Sequence, residues 1–69
     1  MNSYMVQNLN GVRVFIVASR DEAEDFTVRT ATRYGSRATL VKRDGTPLLI
    51  AEADGVGGTP RVTRPRSLD

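Results

Sequence analysis

The segment SRDEAEDFTVRTATRYG, residues 19–35, constrains the fold more than any other part of the chain. Ser19 is placed to cap the first free amides of a helix, Glu22 three residues later completes a capping box, and Gly35 supplies a left-handed stop. Acids crowd the first turns (Asp21, Glu22, Glu24, Asp25), and Arg29 and Arg33 occupy the last, an order that suits the helix dipole at both ends. Ala23, Phe26, Thr27, Thr30, Ala31 and Tyr34 recur at three- and four-residue spacing as one stripe. The stripe is narrow and contains two threonines, so it suits a helix lying across a sheet better than one buried among other helices.

Hairpins on either side supply that sheet. In YMVQNLNGVRVFI, Asn10-Gly11 is the favoured pair for a two-residue type I′ turn, because both central residues need positive φ. That turn sets Leu9 against Val12, Gln7 against Val14 and Met5 against Ile16 on one side of the ribbon. The other side carries Asn8 with Arg13, Val6 with Phe15 and Tyr4 with Val17. In ATLVKRDGTPLLIAEA, Asp44-Gly45 marks a second turn. A two-residue loop sets Leu40 against Leu49, whereas a type I turn closed by Gly45 as a bulge sets Leu40 against Leu48. The second is preferred, since it aligns Ala38, Leu40, Leu48 and Ile50 on one face and leaves Val41, Pro47 and Leu49 on the other. Pro47 has no amide donor and marks its strand as a sheet edge near the turn.

From Asp54 the composition shifts. DGVGGTPRVTRPRSLD holds three glycines, two prolines and three arginines, with only Val56, Val62 and Leu68 as aliphatics, too little apolar surface to order itself. The expected architecture is α+β in the order ββαββ: one helix packed on a small four-stranded antiparallel sheet. It forms a single α/β domain over residues 1–53, followed by a flexible basic tail over 54–69.

With 69 residues, a single core leaves a thin margin of stability. The chain has no cysteine and no histidine, so disulfides, thiolate metal sites, the commonest general base and the commonest metal ligand are all missing. No metal and no cofactor are expected, and an enzyme is the least favoured class. Asp21, Glu22, Glu24 and Asp25 are carboxylates of the kind that do acid and base work, but capping and dipole effects account for all four. The serines and threonines have no histidine or nearby lysine to activate them. The glycines of DGVGG open neither a helix nor a lysine-bearing loop, which makes them a poor phosphate cradle. The longest apolar run, residues 14–18, is far short of the roughly 18–20 residues of a membrane span, and the N-terminus lacks a secretory pattern. A soluble, cytoplasmic protein with no membrane partner is expected.

Two surfaces remain as candidates for binding. The first is cationic: Arg29, Arg33, Arg37, Lys42 and Arg43 precede the first following acid, Asp44. They converge if the second hairpin tip folds beside the helix end. Connectivity favours separation, because the third strand carries Lys42 and Arg43 about 15 Å from Arg37. The second is the outward side of the first hairpin, Tyr4, Val6, Phe15 and Val17 with Arg13, unless the helix packs there instead. Aromatics beside an arginine on a sheet also stack single-stranded bases. Nine of the ten cations are arginine, which suits bidentate pairing with carboxylate or phosphate, and the net charge of +2 tolerates an anionic partner. RVTRPR, residues 61–66, would add non-specific phosphate contacts.

In size and layout the chain, with SRDEAEDFTVRTATRYGSRATLVKRDG at its centre, resembles the small phage and mobile-element proteins that include anti-CRISPR inhibitors. The resemblance covers residues 4–53 and carries over no functional residue. It implies a stoichiometric, non-enzymatic inhibitor that occupies a surface of a nucleic-acid-binding host complex in the host cytoplasm. The expected partner is thus a host protein or ribonucleoprotein, with self-association through the outer sheet face as a further expectation. A small DNA- or RNA-binding protein using the arginine-rich surface is the alternative. The expected contact residues are Arg29, Arg33, Arg37, Lys42, Arg43, Tyr4, Arg13 and Phe15.

Overall fold

A computed structural model describes residues 2–8, 11 and 13–65 of the chain. One helix, α1 (Arg20–Tyr34), lies on one side of a five-stranded antiparallel sheet formed by β1 (Asn2–Asn8), β2 (Arg13–Ala18), β3 (Arg37–Lys42), β4 (Pro47–Glu52) and β5 (Arg61–Thr63). The strand order is β2-β1-β3-β4-β5. The ββαββ order holds, with a fifth strand added where a tail was expected.

The helix ends form as their sequence dictates. Ser19 adopts an extended backbone, its Oγ accepts the Glu22 amide at 3.3 Å, and the Glu22 carboxylate accepts the Ser19 amide at 3.3 Å. Gly35 stands at φ 63° and donates its amide to the Ala31 carbonyl. The buried stripe is narrower than expected: Ala23, Thr27 and Ala31 are fully covered, Val28 packs beside them, and Phe26 and Tyr34 remain 36% and 44% exposed. The reason is close approach. Ala23 and Ala31 meet Ala38, Ala51 and Ala53 of the core, and aromatic rings between the layers would hold the helix off the sheet. Thr27 fits this tight seam because its hydroxyl donates to the Ala23 carbonyl at 2.8 Å.

Both hairpins differ in register from the simplest turn reading. In the first, Gly11 stands at φ 82° and donates its amide to the Asn8 carbonyl at 3.2 Å. The strands pair as Gln7↔Arg13, Val6↔Val14 and Tyr4↔Ile16, one residue displaced from the type I′ register. The slip exchanges the faces of β1 relative to β2. Tyr4 (5% exposed) and Val6 face the helix with Ile16 packed against them, so the expectation that these two lie on the outward face is corrected. Leu9, Asn10 and Val12 lie outside the described residues.

In the second hairpin Gly45, at φ 92°, donates to the Lys42 carbonyl at 2.9 Å while the Lys42 amide reaches the Thr46 carbonyl at 2.9 Å. This is the turn in which Gly45 acts as the bulge residue, as preferred from sequence. A second irregularity between Leu40 and Val41 then absorbs one residue, so that Val41↔Pro47 is followed by Leu40↔Leu49. The expected Leu40↔Leu48 pair is replaced. Leu49 and Ala51 enter the core and Leu48 packs against it, while Ile50 falls on the outer face. Without the second irregularity β4 would send Leu49 to solvent. The irregularity thus exchanges Ile50 for Leu49 on the inner face.

The chain after Glu52 is integrated into the fold. The Ala53 amide bonds the Ser36 carbonyl at 3.2 Å, the Gly57 amide bonds the Thr32 carbonyl at 3.0 Å, and β5 pairs with β4 as Ala51↔Val62. Arg64 reaches Glu24 of the helix at 3.0 Å. The reading of 54–69 as a flexible tail is therefore corrected through residue 65, and residues 66–69 lie outside the described residues. The turn at 55–58 satisfies a helix-end carbonyl and holds Gly55 and Gly57 at φ 109° and 80°, values that favour glycine.

Candidate functional site

The helix covers one side of the sheet and leaves the other open, so the strand register decides which side chains face outward. The pairs Met5↔Phe15, Met5↔Val41 and Val41↔Pro47 run as one row across four strands. A neighbouring row runs Arg13, Gln7, Thr39, Ile50 and Thr63, and a third joins Arg37, Glu52 and Arg61. Val17 continues the apolar surface beyond Phe15 along β2. Phe15 is 79% exposed and Val17 68%, whereas Val41 beneath the centre of this face is only 4% exposed. The open face is thus an apolar band from Val17 and Phe15 through Met5 and Val41 to Pro47, with cations at both ends.

At one end stand Arg13, Arg37 and Arg61. Arg37 is held by Glu52 at 3.2 Å, while Arg13 and Arg61 have no ion pair among the described residues. At the other end Lys42 and Arg43 rim a shallow cleft of about 380 Å³ that includes Met5, Phe15 and Val17. Neither Lys42 nor Arg43 forms an ion pair among the described residues. A second, broader cleft of about 710 Å³ opens on the helix side of the same end, where Arg20, Lys42 and Arg43 meet Asn2, Tyr4 and Asp44. The Tyr4 hydroxyl accepts from the Asn2 amide group at 3.4 Å. The Asp44 carboxylate accepts the Thr46 amide at 2.9 Å, and this hydrogen bond, with help from Lys42, holds its carboxyl below the usual range.

The five cations from Arg29 to Arg43 occupy three places, in line with the separation that connectivity favours. Arg29 lies on the helix, paired with Asp25 at 3.0 Å, and Arg33 is exposed in the last helical turn. Arg37 stands at one end of β3, and Lys42 and Arg43 at the other. The length of β3, about 16 Å, keeps them apart. Phe15 and Arg13 do share the open face, and Tyr4 does not.

Sequence reading missed Met5 and Ile50 as members of this face because the register slips hid them, whereas Val41 and Pro47 lie opposite Leu40 as expected. It missed Arg61 because β5 was read as tail. Gly11, which suits the left-handed position of a longer loop as well as a two-residue turn, was the available signal for the first slip.

Three of the four acids of the first helical turns have partners. Glu22 closes the cap, Asp25 holds Arg29, and Glu24 accepts both Arg20 at 3.2 Å and Arg64 at 3.0 Å. Burial pushes the Glu24 carboxyl up, but the two guanidinium groups outweigh it and hold the carboxyl below its ordinary value. Among the described residues no group of three or more acids converges as a metal site. No helix among them is long and apolar enough to cross a membrane. Comparison of the chain with protein-family models, with curated proteins and with solved structures found no match.

Proposed function

We propose that this protein is a non-enzymatic binding module that holds a partner protein against the open face of its sheet. The carrying observation is the exposure of Phe15 and Val17, 79% and 68%, on the side of the sheet the helix leaves bare. An aromatic ring beside a branched aliphatic, continuous with Met5 and Val41, is the composition of an interface centre. The cations at both ends, four of them unpaired among the described residues at Arg13, Arg61, Lys42 and Arg43, favour a partner that surrounds an apolar patch with carboxylates. An inhibitor of anti-CRISPR type would use this face to occupy the protein surface of a host complex.

The test is retention from a bacterial lysate by immobilised protein, comparing the native chain with Phe15→Glu and with the helix variant Arg29→Ala/Arg33→Ala. A protein held stoichiometrically by the native chain and the helix variant, and lost with Phe15→Glu, is the expected result. Retention that ignores Phe15→Glu, or no stoichiometric protein at all, would sink the reading.

One observation favours a second reading. Phe15 stands on a sheet between Arg13 and the Lys42–Arg43 end, the arrangement with which sheets stack single-stranded bases. Fluorescence anisotropy with labelled single-stranded DNA and RNA across a salt series tests it. Binding that weakens steeply with salt and is lost with Phe15→Ala supports it, and no binding at low ionic strength removes it.

A further inference from the structure

β2 forms one edge of the sheet, with no strand beyond it among the described residues. In an antiparallel pair the residues alternate between those that bond their neighbour and those that turn their amide and carbonyl away. The bond from the Gly11 amide to the Asn8 carbonyl fixes the phase of that alternation. Asn8, Val6 and Tyr4 bond toward β2, so their partners Val14 and Ile16 turn inward, and Arg13, Phe15 and Val17 turn their main chain outward. The phase agrees across the sheet, because β3 offers Lys42 to β4 through its bond with Thr46 and is left to pair with β1 through Val41 and Thr39.

The residues with free main-chain groups are also those whose side chains stand on the open face. The strand RVFIVA contains no proline, no glycine and no inward-pointing charge, the features that normally blunt an exposed edge. Its single charge, Arg13, has no ion pair among the described residues. Any added strand would set its alternate side chains beside Arg13, Phe15 and Val17.

We infer that the free edge of β2 is a strand-addition site for an extended segment of the partner protein, one with apolar side chains opposite Val17 and Phe15 and a carboxylate opposite Arg13. This rests on the protein-binding reading above and adds the mode of capture. Main-chain bonds at three alternate residues supply affinity, and the open-face side chains supply selection. Charge decides against a second copy as the occupant. β2 carries no acid, so pairing two β2 edges antiparallel sets each Arg13 beside Val17 of the other copy with no carboxylate to meet it, whereas an acidic segment supplies one.

The probe is the antiparallel complement acetyl-Val-Thr-Ile-Thr-Glu-amide, added to the full chain at millimolar concentration, with amide hydrogen exchange followed by NMR. Protection of the Arg13, Phe15 and Val17 amides is expected. It should vanish when the isoleucine amide, which faces β2, is N-methylated, and survive when the second threonine amide, which faces away, carries the methyl group. Replacing the glutamate with lysine should weaken binding by about tenfold or more at low salt.

Binding without protection of those three amides overturns strand addition and leaves the face reading standing. No binding at millimolar peptide also overturns it, and the face reading is then judged by the Phe15→Glu retention experiment alone. Protection already present in the free protein, with a doubled mass by light scattering, assigns the edge to a second copy and overturns the proposal. Perturbation of the same residues by a single-stranded oligonucleotide, with none from the peptide, reassigns the face to nucleic acid and overturns it too.

Discussion

The two edges of this sheet are built from opposite materials. β2 is a six-residue strand of almost continuous apolar character, whereas β5 has three residues, with Pro60 before it and Pro65 two positions after its last residue. The Ala53 amide bonds Ser36, so Ala51 bonds β3, and Glu52 and Ile50 are left for Arg61 and Thr63 of β5. Only Val62 of β5 then turns its main chain outward, against Arg13, Phe15 and Val17 on β2. β5 is also tied to the helix through Arg64 and Glu24. Short length, prolines and flanking arginines are the standard protections of an edge, and they are gathered on one side only. The difference teaches that the bare edge of β2 is not a general property of a small sheet, since the same chain closes the other edge.

The largest expected effect separates the inward and outward faces of the β2 main chain. Ile16→Pro removes an amide that bonds β1 and disturbs a side chain packed on the core, and should cost about 3 kcal/mol or more in urea unfolding. Val17→Pro removes an amide that faces solvent, a position an edge strand tolerates, and should cost within about 1 kcal/mol while abolishing peptide-induced protection at the edge. Equal losses from the two substitutions would break the assignment of β2 as an open edge with this phase.

The second effect tests how the β5 side is secured. A Cβ at Gly35 would stand 2.5 Å from the Val56 amide nitrogen and 2.6 Å from the Gly55 carbonyl carbon, at a backbone φ of 63°. Gly35→Ala therefore meets both the left-handed penalty and the turn that leads the chain to β5, and a loss of about 2 kcal/mol or more is expected. Amide exchange should show β5 loosening before β1 and β2 do. Uniform loosening of the whole sheet would mean that the 55–58 turn does not specifically secure the β5 edge.

These contrasts were unevenly legible in the sequence. The helix could be read because its signals are local: Ser19, Glu22 and Gly35 act within a turn of their own positions. The single helix on an antiparallel sheet followed from its narrow stripe. Faces could not be read in the same way, because one added residue at the first turn exchanges every side chain of β1 relative to β2. That slip is why Tyr4 and Val6, expected outside together with Phe15 and Val17, lie inside while Phe15 and Val17 stay outside. In the second hairpin two irregularities act in series, so the preferred turn was right in type and its pairing was not. β5 was hidden because Arg-Val-Thr among glycines and prolines has no periodicity of its own. It is ordered by pairing with Ile50, Ala51 and Glu52, which no local signal announces. The separation of Arg29 from Lys42, by contrast, was legible from connectivity, because the length of β3 stands between the helix end and the turn.

The smallest effect is a pH response confined to the closed edge. Glu24 accepts from Arg64 and Arg20, and its carboxyl is held below the ordinary value of 4.5. A carboxyl lowered by folding adds stability that is present above its unfolded pKa and is lost as pH falls through the lower folded value. The contribution therefore holds at neutral pH and fades on acidification below 4.5, where protonated Glu24 releases Arg64. Both arginines are substantially exposed, so the pair is screened and the effect shrinks in high salt. Protection factors for the Arg61 and Thr63 amides should fall between about pH 6 and about pH 3, while those of Val14 and Ile16 on β2 change less. Glu24→Gln should show the looser β5 already at neutral pH, with the acid step in β5 removed. A β5 that stays equally protected in both proteins at both pH values would show that pairing with β4 alone holds the closed edge. The difference between the two edges would then rest on strand length and proline.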